Sequence, residues 1–215
     1  MNETTPPNRC RIVLIAPSGV SADRVRSALT GGDVASLILP QYGLDEAAFQ
    51  AWVEPIVAAA QGLGVAVVIA GDTRIAGRVK ADGLHVETGK AGLVEAIDDF
   101  QARMMVGCGG AKTRDDALEL GEAQPDYIFF GRFGYDTKPE AHSRNLSLGQ
   151  WWAEMVEIPC IVLAGSELAS VEAVAATGCE FVALSGAVFA EGVDPAQAVA
   201  RANALLDETA PRFED

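Results

Sequence analysis

Eight short apolar runs, each followed by a segment with helical patterning, constrain this chain more than any other feature. The runs fall at 12–16, 34–39, 65–70, 83–86, 104–107, 127–130, 160–164 and 181–184. Most lack polar alternation, the pattern of strands covered on both faces. The first helical segment, 21–29, opens on Ser21 and closes before Gly31-Gly32, in keeping with the cap preferences at both ends. Phe49, Trp52, Val53, Ile56 and Val57 form an amphipathic stripe ending near Gly62. Segments 73–79, 91–100, 113–120, 148–156, 170–177 and 195–206 supply the rest. Thr113 and Ser170 are expected as N-caps, and Gly121 and Gly178 as C-terminal stops. Eight strand–helix pairs in 215 residues predict a single compact α/β domain, a (β/α)8 TIM barrel. The competitor is a doubly wound open sheet, but the first turn reads Ala16-Pro17-Ser18-Gly19 and carries no GxGxxG. The barrel is expected over 9–207, between a disordered tail at 1–8 and a C-terminal tail at 208–215.

Charge narrows the partners. The formal net charge is −14, from 16 Lys and Arg against 30 Asp and Glu, and the basic residues are scattered. Nucleic acid and anionic membranes are repelled by such a surface. A phosphorylated small molecule is not, because backbone amides and one or two lysines suffice to hold it. The polar N-terminus does not read as a signal peptide, and the longest apolar run is far short of a membrane span. Cys10, Cys108, Cys160 and Cys179 form no CxxC pair and are expected as buried free thiols. A cytoplasmic protein is the expectation, with a homodimer left open.

In a barrel, chemistry belongs to the residues at the carboxyl ends of the strands. Gly165-Ser166 and Ser185-Gly186 stand at the seventh and eighth ends, where small residues either cradle a phosphate or make tight turns. Asp72 either ligates Mg²⁺ or caps the helix opening at Thr73. Strand alternation turns His85 toward the barrel interior, as a structural residue or a ligand-facing one. Lys138 either holds a diphosphate or is a solvated charge. His142 reads as surface loop, and Trp151-Trp152 as packing.

The ordered motifs resemble the thiamine phosphate synthases and the thiazole tautomerases related to them. Asp82-Gly83-Leu84-His85-Val86, preceded by Ile69-Ala70-Gly71-Asp72, is similar to "IND … DGVHLGQ". Met105-Val106-Gly107-Cys108 is similar to "IIGVS", and Asp126 through Gly131 to "DYIGXG". Thr137-Lys138-Pro139 matches the end of "TXTKP", Ile158 through Gly165 "IPVVAIGG", and Gly178 through Ala187 "GADGVAVVSA". The resemblance implies a barrel that joins a hydroxymethylpyrimidine diphosphate to a thiazole phosphate, with Mg²⁺ and release of pyrophosphate.

Carried over, Lys138 and Asp72 are the catalytic pair and Asp72 a metal ligand. Gly165, Ser166, Ser185, Gly186, Thr137, His85, Gly107 and Cys108 bind substrate or phosphate. The chain departs from the pattern at several places: the serine after the fifth strand falls at Cys108, and the histidine that tautomerases use falls among Gly109, Gly110 and Ala111. The second-strand "QXRXK" is replaced by residues 37–43, LILPQYG, and the Asn of "IND" is Gly71. The second metal aspartate falls at Lys90, whose ammonium is expected either to approach Asp72 in place of the ion or to face solvent. Glu87 is the residue able to supply a substitute ligand. The alternative to a synthase is a barrel that binds a phosphorylated ligand without this catalysis.

Overall fold

The computed structural model describes residues 6–213. Eight parallel strands close into a barrel in sequence order: β1 (Arg11–Ile15), β2 (Ser36–Pro40), β3 (Ala66–Ala70), β4 (Gly83–Val86), β5 (Met105–Gly109), β6 (Tyr127–Phe130), β7 (Cys160–Leu163) and β8 (Phe181–Leu184). Between and after them lie α1 (Ala22–Leu29), α2 (Glu46–Gln61), α3 (Thr73–Val79), α4 (Gly89–Phe100), α5 (Arg114–Gly121), α6 (Ser143–Met155), α7 (Ser170–Ala175), α8 (Gly186–Phe189) and α9 (Pro195–Thr209). The expected (β/α)8 barrel is therefore the fold. No helix among the described residues is long and apolar enough to cross a membrane.

Strand alternation divides the core in two. Ile12, Leu14, Leu37, Leu39, Val67, Ile69, Leu84, Val106, Ile128 and Val162 face the helices, while Val13, Ile15, Ile38, Val68, Tyr127, Phe129, Ile161, Leu163 and Ala183 fill the barrel. Both faces are apolar, which is why the runs showed no polar alternation. In the outer layer Trp152 is fully buried, donates from Nε1 to the Ile158 carbonyl at 2.7 Å, and packs edge-on against Phe130. The expected packing role for Trp152 follows from that contact.

A repeated device ties the amino ends of alternate strands. Asp82, just before β4, accepts the Val67 N–H of β3 at 2.8 Å. Asp126, before β6, accepts the Val106 N–H of β5 at 2.7 Å, and Glu180, before β8, accepts the Cys160 N–H of β7 at 2.8 Å. Each carboxylate accepts a backbone amide near the start of a strand, and a charged acceptor strengthens the bond. Asp82 and Asp126 belong to the motifs quoted above, yet they sit at the end of the barrel opposite the candidate chemistry.

Local expectations meet the structure unevenly. Thr113 caps α5 in a full capping box with Asp116. Ser170 does not cap α7: Ala169 holds that place, and the Ser170 hydroxyl accepts the Gly165 N–H at 3.0 Å while donating to the Glu167 carbonyl at 2.6 Å. His142 is not mere surface loop, since its Nδ1 accepts the Arg144 N–H and opens α6 five residues earlier than expected. At the C-terminus α9 continues through Thr209, into the stretch expected as tail. Residues 1–5 and 214–215, parts of the two expected tails, lie outside the described residues.

Candidate active site

The carboxyl ends of the strands carry two neighbouring cavities. The larger, about 650 Å³, opens at the ends of β2, β3 and β4 among Gln41, Tyr42, Gly71, His85, Glu87 and Phe133, and runs down along α4. The other, about 500 Å³, lies in the loop after β6, among Arg132, Asp136, Thr137, Lys138, His142 and Arg144.

His85 is buried and points inward, as alternation predicts. Its ring stacks on Tyr127 and meets Phe129 and Phe133 edge-on, with centroids 5.7, 5.8 and 5.2 Å away. His85 Nδ1 lies 2.9 Å from the Tyr127 hydroxyl. Burial pushes the Tyr127 phenol far above its ordinary pKa, so it stays protonated and donates to Nδ1. The ring proton of a neutral His85 is then on Nε2, which has no hydrogen-bond partner. Gly107 makes this stack possible: a Cβ there would lie 2.1 Å from the Tyr127 ring.

Asp72 takes the N-cap role at α3. Its Oδ1 accepts the Arg74 N–H at 2.9 Å, and both oxygens receive the Arg74 guanidinium, at 3.1 and 2.6 Å. The guanidinium and amide together hold the Asp72 carboxyl below its ordinary value. Lys90 does not approach it. The first turn of α4 carries Lys90 outward to an ion pair with Glu122 at 2.5 Å. Among the described residues no three His, Cys, Asp or Glu side chains converge to hold an ion. A Mg²⁺ site needs several free oxygens around one point. With Asp72 engaged by a cation, the donor set present does not fit a protein-held Mg²⁺.

The second-strand segment is self-bound. Gln41 donates from Nε2 to the Leu44 carbonyl and accepts the Asp72 N–H on Oε1; Tyr42 donates to the Ala16 carbonyl at 3.0 Å. Gly71 leaves room for Gln41, whose Oε1 would lie 2.5 Å from a Cβ at that position.

At the seventh and eighth ends the loop after β6 is clamped down. The Lys138 carbonyl accepts the Ser166 N–H at 2.7 Å, and the Asp136 carboxylate accepts the Gly186 N–H at 2.5 Å. A Cβ at Gly165 would lie 2.1 Å from the Pro139 carbonyl oxygen, so only glycine admits this approach. Thr137 and Lys138, both exposed, are thereby held beside Gly165, Ser166, Ser185 and Gly186. Arg132, absent from the sequence reading, stacks its guanidinium 3.8 Å from the Tyr135 ring centroid and, with Arg144, adds further positive charge to the cavity that Lys138 lines.

Cys108 does not reach either cavity. It lies within β5 on the outward face, fully buried among the side chains that meet the helices. The strand ends two residues later than expected, at Gly109, so Cys108 lies within the pleat and alternation fixes which way it points.

The chain matches the family model described as "Thiamine monophosphate synthase" over residues 12–188. It is 31% identical to a thiamine-phosphate synthase of Erythrobacter litoralis, over 88% of this chain and 92% of that protein. A thiamine-phosphate synthase of Hyphomonas neptunium is 30% identical over 98% of this chain and all of that one. Among solved structures, a thiamine phosphate pyrophosphorylase from Pyrococcus furiosus shares the fold, with TM-score 0.79, 18% identity, and coverage of 94% of this chain and 98% of that one. Match and relatives together span the whole barrel, and the chain belongs to the thiamine monophosphate synthase family.

Proposed function

We propose that this protein condenses a hydroxymethylpyrimidine diphosphate with a thiazole phosphate and releases pyrophosphate. The carbon–oxygen bond to the diphosphate breaks, its electron pair leaves with the pyrophosphate, and the pyrimidine-stabilised carbocation is captured by the thiazole nitrogen. Such a dissociative reaction needs positioning and charge compensation more than proton transfer. A mouth without a nucleophile–base pair suits it.

The observation that carries this reading is the clamping of the loop after β6. Asp136 and Lys138 bond to Gly186 and Ser166, which fixes Thr137 and Lys138 where three strand ends meet. Lys138 has no carboxylate partner among the described residues, so its ammonium is available to the leaving diphosphate. Arg132 stands in the same cavity. No protein-held Mg²⁺ is part of the reading, because the carboxylate nominated for it is paired with Arg74.

Steady-state coupling of the two family substrates tests it. The wild type should form the condensed phosphomonoester, and Lys138→Ala should slow it by roughly 10²-fold, the scale of losing one preorganised charge contact. An unchanged rate in Lys138→Ala would remove the lysine from the mechanism.

A further inference from the structure

Four cysteines are buried as free thiols, and the proposed reaction uses none of them. Two of them touch: Cys10 Sγ lies 3.9 Å from Cys179 Sγ, across 169 residues of sequence. The contact sits at the seam that closes the barrel, at the end opposite the two cavities. Arg11 of β1 pairs with Phe181 of β8 and donates its N–H to the Glu180 carbonyl, so both cysteines lie just before the first rung of that ladder. Neighbouring strands run about 4.8 Å apart, within the span that a disulfide bridges. The Cys10 backbone is fixed from its other side as well. Arg9, a buried cation, donates to the Cys10 carbonyl at 2.8 Å while holding Asp207 and Asn203 of α9 at 2.7 and 3.2 Å. Cys160 is the third thiol of this region, but its Sγ turns to the Gly149 carbonyl of α6.

We propose that Cys10 and Cys179 form a disulfide when the chain folds in a thiol-oxidising medium, stapling the first strand of the barrel to the last. The oxidant is a small disulfide such as oxidised glutathione. One cysteine thiolate attacks it, which makes a mixed disulfide and releases one glutathione thiolate. The other cysteine thiolate attacks the protein sulfur of that mixed disulfide, which closes the Cys10–Cys179 bond and releases the second glutathione. Two protein thiols are oxidised, one glutathione disulfide is reduced to two thiols, and the two cysteine protons end on the glutathione. Folding selects this pair, because closing the barrel seam is what brings sulfurs so distant in sequence into contact. Burial sets the timing. In the closed barrel both sulfurs are inaccessible and Cys10 is held as the thiol, so exchange with an outside thiol or disulfide is slow. The chain therefore keeps the redox state in which it folded, whatever reaction its mouth performs.

Refolding of the full chain tests this. The protein is unfolded in urea with dithiothreitol and refolded either in dithiothreitol or in a glutathione redox buffer. It is then alkylated under denaturing conditions and digested for mass spectrometry. The glutathione sample should show Cys108 and Cys160 alkylated and one cross-linked peptide joining Cys10 to Cys179. Its melting temperature should exceed that of the reduced sample by about 5–10 °C, as expected for closing so long a loop in the unfolded chain. Cys160→Ser should still form the bridge, and Cys179→Ser should form none. The inference is overturned by four alkylated thiols, by a bridge that involves Cys108 or Cys160 or a second chain, or by a bridge that brings no gain in melting temperature. Refolding that fails in the glutathione buffer alone would overturn it equally.

Discussion

The Asp136 carboxylate accepts the backbone N–H of Gly186 at 2.5 Å, joining the loop after β6 to the end of β8 across 50 residues of chain. An amide expected to face a phosphate is bonded instead to an anion that the protein supplies. A phosphorylated ligand approaching these loops meets that carboxylate as a like charge. Asp136→Asn should therefore raise the affinity for inorganic phosphate roughly fivefold at low salt, the equivalent of about 1 kcal/mol of relieved repulsion. Calorimetric titration checks it, and an unchanged or lower affinity would show that Asp136 does not oppose anions.

The stack of His85 on Tyr127 depends on the missing side chain of Gly107. Gly107→Ala should destabilise the fold by about 1–3 kcal/mol through overpacking in the barrel. Gly77 in α3 is the opposite case, because a Cβ there would meet nothing within 4 Å. Gly77→Ala should stabilise by about 0.5–1 kcal/mol through helix propensity. Urea denaturation of the two variants should give shifts of opposite sign; shifts of the same sign would contradict the packing described.

Asp72 is held below the ordinary carboxylate value by its bonds to Arg74. A depressed folded pKa means that the ionised group stabilises the fold above the unfolded value, and that this is lost as pH falls through the folded one. Asp72→Ala should cost about 0.5–2 kcal/mol at neutral pH, mostly as a lost helix cap. The gap to wild type should narrow below the reference value of 3.8. A gap constant down to pH 2 would mean that the ionised carboxylate contributes nothing beyond its shape.

The thiols should be silent in the folded protein. Burial pushes Cys108 up to about 12 and Cys160 higher still, and Cys10 is raised by its contact with Cys179 and by burial. At pH 8 the reactive thiolate is scarce and screened. A thiol-specific chromogenic reagent should label these cysteines only on unfolding, and rapid labelling of the native protein would refute their packing.

The architecture was legible because each strand is an unbroken apolar run and each helix carries its own periodicity. Finer placement depended on information that patterns do not hold. Lys90 was expected either near Asp72 or facing solvent; α4 begins at Gly89, so its first turn swings that side chain to Glu122. The start of α6 was missed because the stretch from Ser143 to Ser147 is largely polar and its cap is a histidine, an uncommon N-cap. Arg74 left a usable signal, since a cation two residues after a capping aspartate is within reach of that carboxylate. Asp136 left none: its bond to Gly186 exists only after the barrel brings β6 and β8 into one rim. The His85–Tyr127 contact is likewise tertiary, arising from the neighbouring register of β4, β5 and β6.

The most direct measurement of the central claim is a single-turnover reaction with excess protein, hydroxymethylpyrimidine diphosphate and thiazole phosphate, quantifying both products by mass spectrometry. Condensation at this mouth predicts one pyrophosphate released for each condensed phosphomonoester formed. Pyrophosphate released without the condensed product, or neither product formed while both substrates bind, would contradict it.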